Sequence, residues 1–178
     1  MPLAPIAVVA YPAFAPEDLQ WIESLRWKHD PKGHGQIAAH ITLVFPCRLS
    51  ELDGLTRHID AVAHETPALP FTLSGAAVVP ELPGAGFVTQ LTARDGAEAL
   101  TALHDRLYEA LPSLPRPGAP PYAPHITVGR SRWVKDAIRL SARLNVDARV
   151  ISGEIARLSL IRVFRRKVTL LEERPLAG

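Results

Sequence analysis

The 178-residue chain contains one cysteine, Cys47, so it can build neither an intramolecular disulfide framework nor a multi-cysteine zinc site. A reducing compartment is the plain setting. No charge of one sign prevails either: Lys+Arg 20 against Asp+Glu 18 leaves +2, which excludes the strongly basic field that long-duplex binders carry. A short nucleotide or an RNA end is a more compatible partner. Long apolar runs are missing. The apolar start Leu3-Ala4-Pro5-Ile6-Ala7-Val8-Val9-Ala10 has no basic segment before it and is interrupted by Pro5, with Pro12 and Pro16 following. It predicts no signal peptide and no membrane span, hence a soluble, cytoplasmic protein. P-loop, zincin and Gly-x-Ser-x-Gly signatures are all absent, as is sustained low complexity.

What the chain does have is one short pattern written twice, His40-Ile41-Thr42-Leu43 and His125-Ile126-Thr127-Val128, 85 positions apart. Seven histidines and 47% apolar residues predict roughly 0.08 such matches by composition alone. In an extended chain residues i and i+2 share a face, so each copy presents an imidazole and a hydroxyl side by side. Ile41/Leu43 and Ile126/Val128 face the core and fix the register. Two imidazoles with ordinary pKa near 6.5 can act as one general base and one general acid. Two hydroxyls between them can donate to the oxygens of a tetrahedral anion. Phosphoryl transfer suits this set.

The segments Ala39-His40-Ile41-Thr42-Leu43-Val44-Phe45 and Pro124-His125-Ile126-Thr127-Val128-Gly129-Arg130 resemble the motifs of the two-histidine phosphoesterases, the superfamily of RNA 2′,3′-cyclic phosphodiesterases and 2′-5′ RNA ligases. Chain length and motif separation are similar too. The resemblance implies a bilobal α+β fold with an internal pseudo-twofold, two antiparallel sheets lining a central cleft, and helices outside. It also implies residues 1–178 as a single domain with one motif per lobe. The implied reaction needs no cofactor and no metal: one neutral imidazole takes a proton from water attacking a 2′,3′-cyclic phosphate, and the other, protonated, donates to the departing 3′ oxygen. The product is a 2′-phosphate, and the reverse reaction forms a 2′-5′ linkage. His40, Thr42, His125 and Thr127 are the candidate catalytic residues, with the two histidine roles unassigned. The first motif continues as Pro46-Cys47-Arg48 rather than the Phe-Leu-Gly of many RNA-ligase members, which leaves the branch of the superfamily open.

Arg130 and Phe45 are candidate substrate-binding residues. Arg130 matches an arginine of RNA-ligase-like second motifs and could pair with a phosphate. Strict alternation puts it opposite His125, so it needs a bulge beside Gly129 or a place past the strand end to reach the cleft. Phe45 could stack on a base or serve the core. Tyr122 and Trp133 are weaker stacking candidates. Among the other histidines, His58, His64 and His104 are expected on solvated helix faces, and only His34, through its loop, could visit the site.

The remaining pattern reads as a strand from Ile6 to Tyr11, a helix opened by Pro16-Glu17-Asp18 with Leu19, Ile22 and Leu25 or Arg26 on one face, and a loop over 30–35. The first motif strand is expected over Gln36–Phe45. A helix capped by Ser50 carries Leu52, Leu55, Ile59 and Val62. Phe71–Val79 and Gly86–Ala93 predict a hairpin. Asp95 is the expected cap of a helix with Leu100, Leu103, Leu107 and Leu111, closed by Pro112; the Pro-rich stretch to Pro121 is read as a stiff connection. A weaker helix over Val134–Leu144 and a terminal hairpin, Ala156–Phe164 with Val168–Glu172, complete the chain. The order fits an α+β protein. Two other classes compete with the hydrolase: a non-catalytic nucleotide- or RNA-binding module using the same cleft, and a metal-dependent hydrolase. Plain phosphate binding would favour Arg, Lys or helix N-termini over paired His and Thr. Neither motif offers a further ligand at metal spacing.

Overall fold

Ile6–Ala10 has no polar face to offer water, and in the computed structural model, which describes residues 5–48, 52–81, 84–109, 121–164 and 167–177, it runs as an internal strand, β1, buried at every position. The chain continues through β2 (Ala13–Phe14), α1 (Pro16–His29), α2 (Pro31–His34), β3 (Ile41–Cys47), α3 (Leu52–Glu65), β4 (Leu69–Pro80), β5 (Phe87–Ala93) and α4 (Ala97–Glu109). It ends with β6 (His125–Ser131), α5 (Val134–Asp147), β7 (Val150–Ile155), β8 (Arg157–Phe164) and β9 (Lys167–Pro175). The strands make two sheets, ordered β3-β1-β8-β9 and β2-β7-β4-β5-β6. Every pairing is antiparallel. Helices α3 and α4 pack on the first sheet and α1 and α5 on the second. This is the bilobal α+β architecture with helices outside and the sheets lining a cleft. The lobes are interleaved: β1 and β3 lie in the first sheet, β2 and β4 to β7 in the second, and β8 and β9 return to the first.

Apolar periodicity explains the helices. Leu55, Ile59, Val62 and Ala63 of α3 and Leu100, Leu103, Leu107 and Tyr108 of α4 are buried in one cluster with Ile41, Leu43, Ile126 and Val128 of the motif strands. Alternate residues of β1 serve opposite faces: Ile6, Val8 and Ala10 join that cluster, while Ala7 and Val9 join Ile161 in a smaller one against Ile37. Because Val9 pairs with Thr42, Thr42 lies on the smaller cluster's side of the sheet.

Several expectations need correction. Leu19 is exposed, while Ile22 and both Leu25 and Arg26 are buried on α1. The first motif strand begins at Ile41, not Gln36. Asp95 does not cap α4: its carboxylate accepts from the Thr72 hydroxyl at 2.9 Å, and Gly96, at φ +77°, precedes the helix. His104 is buried, not solvated. The short elements β2, α2 and β7 were not anticipated. Ser50, Leu111, residues 112–120, Arg165 and Arg166 lie outside the described residues.

Candidate active site

The second motif opens β6, and the first opens one residue before β3, with His40 directly preceding Ile41; β3 and β6 are each an edge strand of its sheet, and these edges lie side by side. Their local geometry matches. His40 Nδ1 is 2.8 Å from the Ala38 carbonyl oxygen, and His125 Nδ1 is 2.7 Å from that of Ala123. A carbonyl only accepts, so Nδ1 of each ring carries the proton and donates, which leaves Nε2 as the lone-pair nitrogen of the neutral imidazole. The bulges match as well. Val9 stands opposite Thr42 and Val8 opposite Val44, making Leu43 an extra residue; Gln90 stands opposite Thr127 and Thr89 opposite Gly129, making Val128 an extra residue. Each motif is therefore bulged at the third position after its histidine. The second bulge resets the alternation and turns Arg130 to the His125 and Thr127 face, the route that the sequence required.

Side chains from α1 set the approach to His40. Arg26, 3% exposed, donates through Nη1 to both carboxylate oxygens of Glu23 at 2.9 and 2.8 Å and through Nη2 to the Ile37 carbonyl at 2.6 Å. Glu23 also accepts the Ala39 N–H at 2.6 Å. Residues 37–39 are thus pinned by side chains instead of a strand ladder, and Ala38, between the pins, holds the His40 ring. His34, at the end of α2, reaches Glu23 at 3.5 Å, one residue removed from the motif.

The edge of β3 is finished by aromatic side chains. Tyr122 Oη donates to the Thr42 carbonyl at 2.9 Å, the Phe45 N–H donates to Tyr108 Oη at 3.0 Å, and His104 Nδ1 lies 2.7 Å from the Leu43 carbonyl. The His104 ring stacks on Tyr122 at 3.7 Å between centroids. Half-buried Phe45 meets both rings edge-on at 6.4 Å. Burial raises the Tyr122 phenol well above its ordinary pKa, so it remains a donor. These bonds occupy backbone groups that an open edge would leave unpaired.

Electrostatics keep both imidazoles neutral. Burial lowers the His40 pKa to about 4; the Ala38 bond opposes this, while Arg26, His125 and Arg130 add to it. His125 is lowered by burial first and by Arg130 second, against the Ala123 bond. The two rings and Arg130 share one electrostatic field. Arg130 Nη1 is ion-paired with buried Asp30, and its Nε donates to Glu81 at 3.1 Å. Gln90, on the neighbouring strand β5, was missed from the sequence: its amide nitrogen is 3.0 Å from His125 Nε2, so the amide donates to the lone pair. Tyr11, at the end of β1, sets its ring edge against His40 at 6.3 Å. No side-chain hydrogen bond joins Thr42 or Thr127 to another group among the described residues; both are half-buried on the histidine faces. Among the described residues no group of three or more His, Cys, Asp or Glu gathers with metal-binding geometry. None of the described helices is long and apolar enough to cross a membrane.

The family described as the 2′-5′ RNA ligase superfamily matches residues 14–166. No curated protein matches the chain. Among solved structures, TT0787 of Thermus thermophilus has TM-score 0.67 at 21% identity over 98% of each chain. E. coli LigT in apo form has TM-score 0.64 at 20% identity over all of both chains. E. coli LigT complexed with 3′-AMP has TM-score 0.59, again at 20% identity over all of both. At such identities the structures establish the fold; the family match spans most of the chain, including both motifs. With two matched, bulged motif strands on facing sheet edges inside that span, the chain belongs to the 2′-5′ RNA ligase superfamily, the two-histidine phosphoesterases.

Proposed function

We propose that this protein is a metal-independent phosphodiesterase that opens 2′,3′-cyclic phosphate ends of RNA, or small cyclic nucleotides, to 2′-phosphates, with 2′-5′ ligation as the reverse reaction. The observation that carries the reading is the pair of neutral imidazoles, each with Nδ1 pinned to a carbonyl two residues back and Nε2 left as the reactive nitrogen. One Nε2 takes the proton of the attacking water, and the other, protonated, returns one to the 3′ oxygen.

A catalytic acid must be charged, yet the free site disfavours the charged form. An anion supplies the difference. One negative charge about 4 Å from an imidazole contributes about 4 kcal/mol at an effective dielectric of 20, which corresponds to roughly 3 pKa units. That raises a pKa of about 4 to near neutrality, so the phosphate itself recruits the proton that its cleavage needs. Thr42 and Thr127 donate to the non-bridging oxygens. Arg130 Nε and Nη1 are held by Glu81 and Asp30, leaving Nη2 to donate to the phosphate. Phe45 supplies an aromatic face for the base. That LigT accommodates 3′-AMP supports a nucleotide-sized ligand. A single domain over residues 1–178 acting in the cytoplasm fits this role.

The test is hydrolysis of an oligoribonucleotide ending in 2′,3′-cyclic phosphate, with EDTA present, by the wild type, His40→Ala and His125→Ala, with identification of the product isomer. The expected result is a 2′-phosphate from the wild type and loss of product in both variants. No turnover by folded wild type would reject the reading in favour of a binding module.

A further inference from the structure

On the helix-covered side of β5 and β6, between the end of α1 and α5, lies a cavity of about 430 Å³ bordered by Lys28, His29, Gly129, Arg130, Arg139 and Arg143. Its volume is that of a small-ligand site. Gly129 forms part of the floor: a Cβ there would stand 2.7 Å from Leu140 Cδ2 and 3.3 Å from His29 Cβ. The lining is unevenly charged. Arg130 is matched by Asp30 and Glu81, and Arg139 by Asp136 at 3.6 Å. Lys28 and Arg143 have no carboxylate partner among the described residues. Arg143 Nη2 instead lies 3.1 Å from His29 Nε2, a nitrogen that can accept from a guanidinium only while the imidazole is neutral. The ring's pKa is accordingly held below its ordinary value, by burial first and then by Arg143 and Lys28. An arginine whose partner is a lone pair, beside an unmatched lysine, leaves a positive potential that an anion would satisfy.

The position of the cavity says which anion. β6 is an edge strand, so the two faces of its sheet meet at its rim, and Arg130, turned by the bulge toward the histidines, also borders the cavity. We propose that the cavity takes a backbone phosphodiester of the RNA chain whose 3′ end lies between His40 and His125, with Lys28 and Arg143 as the contacting cations. This rests on the function proposed above and makes that site selective for chains over mononucleotides. A phosphodiester suits the lining: it is monoanionic, and Arg143 offers a planar pair of donors.

The experiment compares kcat/KM for a mononucleoside 2′,3′-cyclic phosphate and for a tetranucleotide with the same end, in the wild type and in Lys28→Gln/Arg143→Gln. The wild type is expected to prefer the tetranucleotide at least tenfold, and the double variant to lose about tenfold of that ratio. For two phosphate-contacting cations on a single strand, the slope of log(kcat/KM) against log[salt] for the tetranucleotide should also become shallower by about 1.4. An equal rate on both substrates in the wild type, or an unchanged ratio in the folded variant, overturns the proposal. Should the wild type turn over neither substrate, the proposed reaction fails, and the cavity is judged by fluorescence anisotropy with a 5′-labelled tetranucleotide. Binding weakened at least fivefold in the double variant upholds it, and equal binding rejects it. Inorganic phosphate matching the RNA in affinity would also reject it in favour of a free-anion site.

Discussion

Replacing Glu23 with alanine tests whether two α1 side chains build the approach to His40. The carboxylate holds both ends of a short network: two bonds from Arg26, at 2.9 and 2.8 Å, and one from the Ala39 N–H at 2.6 Å. Its removal leaves the guanidinium of a 3% exposed side chain with the Ile37 carbonyl as its remaining hydrogen-bond partner. Breaking a buried ion pair by deleting one partner costs about 3–5 kcal/mol. The lower end applies, since Glu23 is 25% exposed and one Arg26 bond survives. A loss of about 3 kcal/mol lowers Tm by roughly 6–12 °C in a chain of this length. Thermal unfolding followed by circular dichroism measures it, in a cycle with Arg26→Met and the double variant. Removing the stranded charge should restore part of the loss, so Glu23→Ala/Arg26→Met should be more stable than Glu23→Ala alone. A Tm within about 1 °C of wild type for Glu23→Ala, or simple additivity of the two losses, would refute the account.

Three further outcomes follow. The His40 pKa of about 4 lies below the unfolded value near 6.5, so the unfolded chain binds more protons in that interval. The stabilisation is complete above pH 6.5 and falls as pH drops toward 4, by up to about 3 kcal/mol. Urea unfolding from pH 7 to 4.5 should show a steeper acid loss for wild type than for His40→Asn, and parallel curves would contradict it. In Gln90→Ala, the His125 lone pair loses a donor that favours the neutral ring, so the His125 pKa should rise; an unchanged ring titration by NMR would remove Gln90 from the site. In Gly96→Ala, a side chain is forced on φ +77° and its Cβ onto the Pro70 carbonyl, for a loss of about 2 kcal/mol or more in urea unfolding with the m-value unchanged.

The parts legible in the sequence are those whose signal is local. The 3.6-residue spacing of Leu55, Ile59 and Val62 gives α3 its buried face, and the alternating pairs around His40 and His125 place both motifs on strands. Other parts depend on contacts between distant residues. β7 is interrupted to the eye by Gly153, which is there because a Cβ would stand 2.5 Å from the Phe14 ring and 2.8 Å from that of Phe71. Residues 36–40 read as strand because Ile37, Ala38 and Ala39 run apolar into the motif, yet they form a turn and bends whose backbone is bound by Glu23 and Arg26. His104 looks like a surface residue of a helix until Tyr122, from beyond the Pro-rich connection, stacks on it. Gln90 had no signal at all, because its place beside His125 is a product of the β5–β6 register.

The matched bulges link these observations to chemistry. A regular strand would give the cleft His, Thr and the fourth position after the histidine, Val44 and Gly129, neither able to hold charge. One extra residue in β6 exchanges Gly129 for Arg130 on that face while leaving Ile126 and Val128 buried. Burial first, and the guanidinium after it, lower both imidazole pKa values. Left bare, it would also hold any passing anion, but Asp30 and Glu81 offset its charge and fix its orientation. In the proposed reaction the free site is therefore close to neutral, with both bases unprotonated and one cationic donor aimed. Only an anion that reaches both rings reverses the proton preference of one of them, so the acid is created where, and when, the phosphate is bound.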